Sequence, residues 1–341
     1  MSRAGPSPRK WPCSFHYVIY KHGGPVVKYD DAGFSGGIDM NWFWFAIIAL
    51  LCWSGSDFFS KVGCADARDK YSHLKMVIAV GAVMGLHAAY EIFIGGTEIS
   101  WQVIWTYLPV SLLYILSMTM GYVGLRYIEL SISSPICNSS GALVAVATII
   151  MSGVAGMNGW QLAAIALVCC GVIGLGVAEM TEDEELRRAR QEKGRWQYAK
   201  NWKALLLPAA YCVLDAAGTF ADSLVLETLN EDSANVAYEL TFLAAGLFCL
   251  VFLLSKRQRF ALRAEAPKYT GAIFETAGQF AYIYALADTE HVAMSAPIIS
   301  AYCAASVLWS RLFLKERLSW KHYLAIAVTV TGIVIMGVFD A

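Results

Sequence analysis

The stretch GIVIMGV, Gly332–Val338, closes the last long apolar run of the chain, and GVIGLGV, Gly171–Val177, closes another such run 161 residues earlier. The reading of this pair decides the fold. Two further landmarks keep nearly the same spacing. Pro135 in SSPI and Pro297 in SAPI lie 162 apart, and Glu129 and Glu290, which precede those prolines, lie 161 apart. Three independent landmarks at one offset mark an internal repeat.

Outward from these landmarks, apolar runs of about 20 residues alternate with short polar links. Ten spans follow, at about 41–62, 73–95, 101–124, 131–152, 160–179, 203–226, 234–255, 268–287, 292–314 and 320–339. Hydrocarbon offers the backbone no partners, so runs of this length are helices. Five spans per repeat is an odd number, which sets the two halves in opposite orientations. The expected fold is therefore an all-α membrane protein, with ten transmembrane helices as two inverted five-helix repeats. The first repeat covers 41–180 and the second 203–341. The linker 181–202 between them carries a capping-box pair, Thr181 and Glu184, and an i,i+4 pair, Glu184 and Arg188, which predict a short surface helix.

Composition agrees. The 341 residues are 57% hydrophobic and only 16% charged, against about 45–50% and about 25% for soluble chains. The net charge of −1 leaves no nucleic-acid footprint. The nine cysteines show no C-x-x-C pair or ligand spacing, so no metal site is expected. No cofactor motif appears either: GGTE lacks the spacing and Lys-Ser/Thr of a phosphate-binding loop. No catalytic set such as G-x-S-x-G or H-E-x-x-H is present, so an enzyme is not expected.

Residues 1–40 are polar and rich in Pro and Gly. They read either as a poorly ordered tail or as a leader upstream of a start at Met40, and the second is favoured. Of the 26 Lys and Arg residues, five lie in that segment and 21 flank the odd-numbered links, with none on the even side. By the positive-inside rule the basic links are cytoplasmic and the termini face outward across the cell membrane. Trp42, Trp44, Trp101, Trp160, Trp202 and Trp320 sit near span ends, as interfacial rings do.

The sharpest functional signal is acids within apolar spans, each costing about 2.5–3.5 kcal/mol at the bilayer centre. These are Asp57, Asp215, Asp222, Glu239 and Glu275. Asp215 lies near the midplane of AAYCVLDAAGTFADSLVL, Ala209–Leu226, and Glu275 slightly inside the middle. They are the candidates to hold a cationic substrate group, to carry a coupling proton, or both. Asp222 and Glu239 lie nearer the outer face, as a vestibule or as interfacial groups. Asp215 and Asp222 are seven residues apart on one helix face, with Gly218 leaving room between. Asp57 is expected to pair with Lys61 one turn on. His87 reads as a packing residue before a proton relay. Asn138, Tyr211 and Tyr302 are candidates for the path, with Trp309 beside them. Gly81 and Gly85, and Gly171 with Gly174 and Gly176, form small faces for close helix packing, within a monomer or a homodimer.

The stretch Ala293–Val338, with its opening Pro297, LFLKERLS at Leu312–Ser319, and a last helix holding Gly332 and Gly337, resembles the C-terminal signature of the drug/metabolite transporter superfamily, EamA type. LLCWSGSDFFSKVG, Leu50–Gly63, is similar to that family's opening helix. The resemblance covers about 41–340. It implies a ten-helix transporter made of two five-helix repeats. The expected function is secondary transport of a small organic solute (a metabolite, amino acid or drug-like compound) across the lipid bilayer by alternating access, with direction open and export favoured, and with protons as a coupling partner on the strength of Asp215 and Glu275. Two features depart from the family. MSGVAGMNGW, Met151–Trp160, lacks the acid often found after the fourth span, and the charge count puts the termini outside. The competing reading is a non-transporting receptor, scaffold or regulatory subunit, which needs no acids at the midplane.

Overall fold

A computed structural model describes residues 41–64, 69–124, 130–153, 157–181, 206–258, 260, 262–313 and 318–339. The expected surface helix between the halves, Glu129, and the segment 1–40 lie outside the described residues. The described residues contain helices and no strand. In chain order they are α1 (Trp42–Gly63), α2 (Ser72–Tyr90), α3 (Trp101–Gly124), α4 (Leu130–Asn138), α5 (Ser140–Ser152), α6 (Gly159–Met180), α7 (Leu206–Leu226), α8 (Glu231–Ser255), α9 (Leu262–Ala287), α10 (Val292–Ser300), α11 (Tyr302–Phe313) and α12 (Trp320–Phe339). Asn41 caps α1 by accepting from the Trp44 N–H at 3.3 Å, and Asn230 caps α8 by accepting from Ser233 N–H at 2.8 Å. Both satisfy donors that a helix start leaves open.

Among the described residues, nine spans are long and apolar enough to cross a membrane. α9 is as long as any, with 26 residues, but holds Glu265, Lys268, Glu275 and Gln279 in its first two-thirds. It is the most polar of the ten expected spans, and two of these side chains, Glu275 and Gln279, line a cavity.

The fourth and ninth spans are each broken once. α4 gives way to α5 at Ser139, and α10 to α11 at Ala301. At both breaks the chain tightens into i→i+3 bonds: Ser139 N–H to Ile136 O, and Ala301 N–H to Ile298 O. Each break follows its proline, Pro135 or Pro297, by four residues. Both break residues also keep the bond to the proline carbonyl, Ser139 N–H to Pro135 O and Ala301 N–H to Pro297 O, each at 3.1 Å, whereas proline's own missing N–H and steric crowding act on the turn before it.

Helix pairing is regular across the two halves. α1 packs on α9, α3 on α7, α2 on α8, α5 on α10, and α6 on α12. This is the pairing that a two-fold exchange of halves leaves unchanged. The contacts agree residue by residue. A Cβ added at Gly171 would meet Thr329 and Ala325, while one added at Gly332 would meet Val168 and Ala164, and 164, 168 and 171 become 325, 329 and 332 at the offset of 161. Gly81 faces Phe242 O and Gly246, and Gly246 faces Val77 O and Gly81. Glycine here lets backbones approach as they do at small-residue seams in membranes.

The outer faces carry large apolar side chains such as Leu86, Phe93, Ile150 and Phe248. Trp101, Trp160 and Trp320 open their helices and are exposed, as interfacial rings are. Trp42 differs. It is buried and stacks on the His291 ring at 5.1 Å.

Candidate functional site

The paired helices leave a cavity of about 130 Å³ between them. Three acids stand in its wall: Asp57 from α1, Asp215 from α7 and Glu275 from α9. They lie close enough that Asp57 and Asp215 both act electrostatically on Glu275. Asp215 accepts a hydrogen bond from Ser140 Oγ at 2.7 Å, which ties α7 to the first turn after the α4–α5 break. Asp57 accepts from Ser134 Oγ at 3.3 Å, on the other side of the same break. Asn138 also faces the cavity, and its Nδ2 donates back to Ser134 O at 2.9 Å. Ser134 and Ser140, on the two sides of the break, thus each hold one of the acids.

A set of six aromatic side chains also lines the cavity. Trp53 packs on Tyr282 at 5.0 Å and edge-on to Tyr302 at 5.9 Å, and Tyr114, Tyr211 and Tyr238 complete it. Among the described residues, no Lys, Arg or His lines the cavity. Lys61 is not in the wall, although it acts on Asp57 from one turn away. The cavity therefore joins negative groups to π-faces, the two features that attract an organic cation.

The structure brings together Asp215, Glu275, Asn138, Tyr211 and Tyr302 from the sequence candidates, and adds Asp57. It places Asp222 and Glu239 elsewhere. Asp222 is fully buried, accepting from Tyr107 Oη at 2.8 Å and Tyr114 Oη at 3.4 Å. The Tyr114 hydroxyl also hydrogen-bonds to that of Tyr282. The room expected at Gly218 is taken by the Tyr114 ring, 3.1 Å from where a Cβ would sit. Tyr114 lines the cavity, so it stands between Asp222 and the open space. Glu239 is fully buried at the α2–α8 seam, where His87 Nδ1 contacts its two carboxylate oxygens at 2.8 and 3.0 Å. Asn235 Nδ2 donates to it at 3.2 Å. Pro135 and Pro297 lie four residues before the helix breaks. Trp309 donates from Nε1 to Ser54 Oγ at 2.9 Å.

Sequence reasoning passed over Trp53, Tyr114, Tyr238, Gln279 and Tyr282. Uncharged aromatic and amide side chains are unremarkable in a span. The available signal was spacing: Trp53 is four residues before Asp57, and Gln279 four after Glu275, so each shares a helix face with an acid.

Residues 202–338 match the sequence profile of the EamA-like transporter family, so this part of the chain is similar to that family. No curated protein sequence matches the chain. Among solved structures, 28 chains match. One of them, known as a crystal structure of a protein with no stated activity, is 13% identical, with a TM-score of 0.62 over 87% of this chain and 96% of its own. That likeness is one of fold.

Proposed function

We propose that this protein is a secondary transporter of small organic solutes bearing a positive charge, working by alternating access between two inverted five-helix repeats, 41–180 and 203–341. The observation that carries the reading is the set Asp57, Asp215 and Glu275 facing one cavity whose wall has no basic side chain among the described residues. Three carboxylates that share a low-dielectric space repel one another, and need protons or a cation to be neutralised. Proton and substrate then compete for the same acids, which couples one to the other. Asp215 and Glu275 are the groups assigned to that exchange. The matched helix pairings and the two helix breaks support the repeat. The 21 basic residues on one side support cytoplasmic odd-numbered links. The scaffold reading requires every buried acid to be sealed in helix contacts. Asp222 and Glu239 meet that requirement, while the other three do not.

The test is counterflow of radiolabelled isoamylamine in proteoliposomes holding the purified chain, with and without an imposed pH gradient. The expected result is saturable flux that the gradient drives, lost in Asp215→Asn. Flux equal to that of protein-free liposomes sinks the transporter reading for organic cations. Flux that ignores the gradient, and that Asp215→Asn leaves unchanged, sinks the coupling.

A further inference from the structure

We infer that the cavity contains a second, hydrogen-bond-donating subsite formed by Trp53 and Gln279, and that its solute is a protonated amine that also carries an uncharged hydrogen-bond acceptor. The inference rests on the cation reading above and narrows it.

Both side chains are in the cavity wall. Gln279 is 2% exposed, and its Nε2 has no hydrogen-bond partner among the described residues. Trp53 Nε1 is also buried without a partner. An indole N–H can only donate. Buried polar atoms in proteins nearly always have partners, and a buried donor left unmade costs about 1–3 kcal/mol. Two such donors on the wall of one cavity point to an acceptor that arrives from the cavity itself.

The register of α1 against α9 places these donors on a level of their own. A Cβ at Gly278 would lie 2.4 Å from the Trp53 ring, and one at Gly55 would lie 3.1 Å from Phe274. A Cβ at Gly271 would approach Ser56 O and Ser60 Oγ at 3.3 Å. The two helices therefore run antiparallel, with Trp53 beside 278–279. Ser56 lies beside Glu275, so Asp57 and Glu275 share the next level. Four residues along each helix separate the levels, about 6 Å. Donors stand on one tier and acids on the other. An amine held at the acids puts a carbonyl two bonds away within reach of the donor tier. A carboxylate in that place would add a fourth negative charge to the three already present, so the acceptor is neutral.

The experiment is isothermal titration of the purified full chain with three probes sharing one apolar body: isoamylamine, leucinamide and leucine. Leucinamide is expected to bind about tenfold more tightly than isoamylamine, as one satisfied donor implies, and leucine more weakly than leucinamide. In Gln279→Met and in Trp53→Phe the leucinamide-to-isoamylamine ratio falls toward one. Equal affinity of the two amines for the native chain overturns the donor subsite and leaves the cation reading standing. A ratio that survives both substitutions also overturns it, as does leucine binding best. No binding of either amine removes the cation reading and the subsite together. The native-chain comparison decides the matter even where a variant does not fold.

Discussion

Replacing Gly171 with alanine tests the α6–α12 seam. The new Cβ would lie 2.1 Å from Thr329 Oγ1, 2.8 Å from Thr329 N and 2.9 Å from Ala325 O. The hydroxyl can rotate away, but the two backbone atoms belong to α12 and move only with it. Ordinary contact begins at 3.4 Å, so α6 and α12 must part by roughly half an ångström. Close-packed interiors give little room for such a shift, and forced methyl groups of this kind cost about 1–3 kcal/mol. One turn on, a Cβ at Gly174 meets nothing nearer than Ala325 Cβ at 3.5 Å, so Gly174→Ala gains helix propensity of up to about 1 kcal/mol without a clash. Gly332 mirrors Gly171, with Ala164 O at 2.8 Å and Val168 N at 2.9 Å, so Gly332→Ala should lose as much as Gly171→Ala. The assay is thermal unfolding of the three variants in one detergent. If Gly171→Ala and Gly174→Ala unfold together, or if Gly171→Ala and Gly332→Ala differ by more than the error of the melt, the packing argument fails.

Asp222→Asn is expected to leave counterflow of isoamylamine within about twofold while costing about 1–3 kcal/mol of stability, because two tyrosine hydroxyls lose a charged acceptor; flux and melting temperature, measured on the same preparation, check both parts. Tyr107→Phe should cost about 1 kcal/mol, and in the Asp222→Asn background much less, a non-additivity read by a double-mutant cycle of melting temperatures. His87→Ala removes the closest partner of a fully buried carboxylate, and should destabilise the chain by more than the double change His87→Ala with Glu239→Gln; equal losses would show that the pair carries no weight. Gly278→Ala, driven into the Trp53 indole, should weaken leucinamide binding more than isoamylamine binding in the same titrations.

The spans were legible because length and apolarity are set by the bilayer, whatever the helices pack against. The breaks at Ser139 and Ala301 were not. Pro135 and Pro297 announced a disturbance, but where the tightened turn falls depends on which carbonyls find partners downstream. Asp57, Asp215 and Glu275 stood out because a carboxylate in hydrocarbon is costly and rare. Which acids share a space was hidden, since it depends on side chains from other helices. Asp215 and Asp222 look alike along α7, and only the Tyr114 ring, crossing from α3 onto Gly218, separates them. Trp53 and Gln279 were invisible for a related reason. Their interest comes from having no partner, a property of the fold and not of the sequence.

At the α2–α8 seam the halves correspond at an offset of 165, where the later spans keep 161. Gly81 and Gly246, which face each other there, differ by 165 in number, and so do Asp57 and Asp222. Trp53 falls on Gly218 at the same offset. In the first half the aromatic ring belongs to the helix that carries the acid, and it packs on Gly278 of α9. In the second half the glycine is on the acid's helix, and the ring, Tyr114, comes from α3. The exchange of ring and glycine decides what each acid faces. On α1 the indole lies one turn from Asp57 and leaves the carboxylate open to the cavity. On α7 the phenol reaches over Gly218 and donates its hydroxyl to Asp222, closing it in. If the halves are repeats, as proposed, a symmetric scaffold has been made into a one-sided site by where two aromatic rings are rooted. The cavity's acids then come from α1, α7 and α9, with no two at equivalent positions.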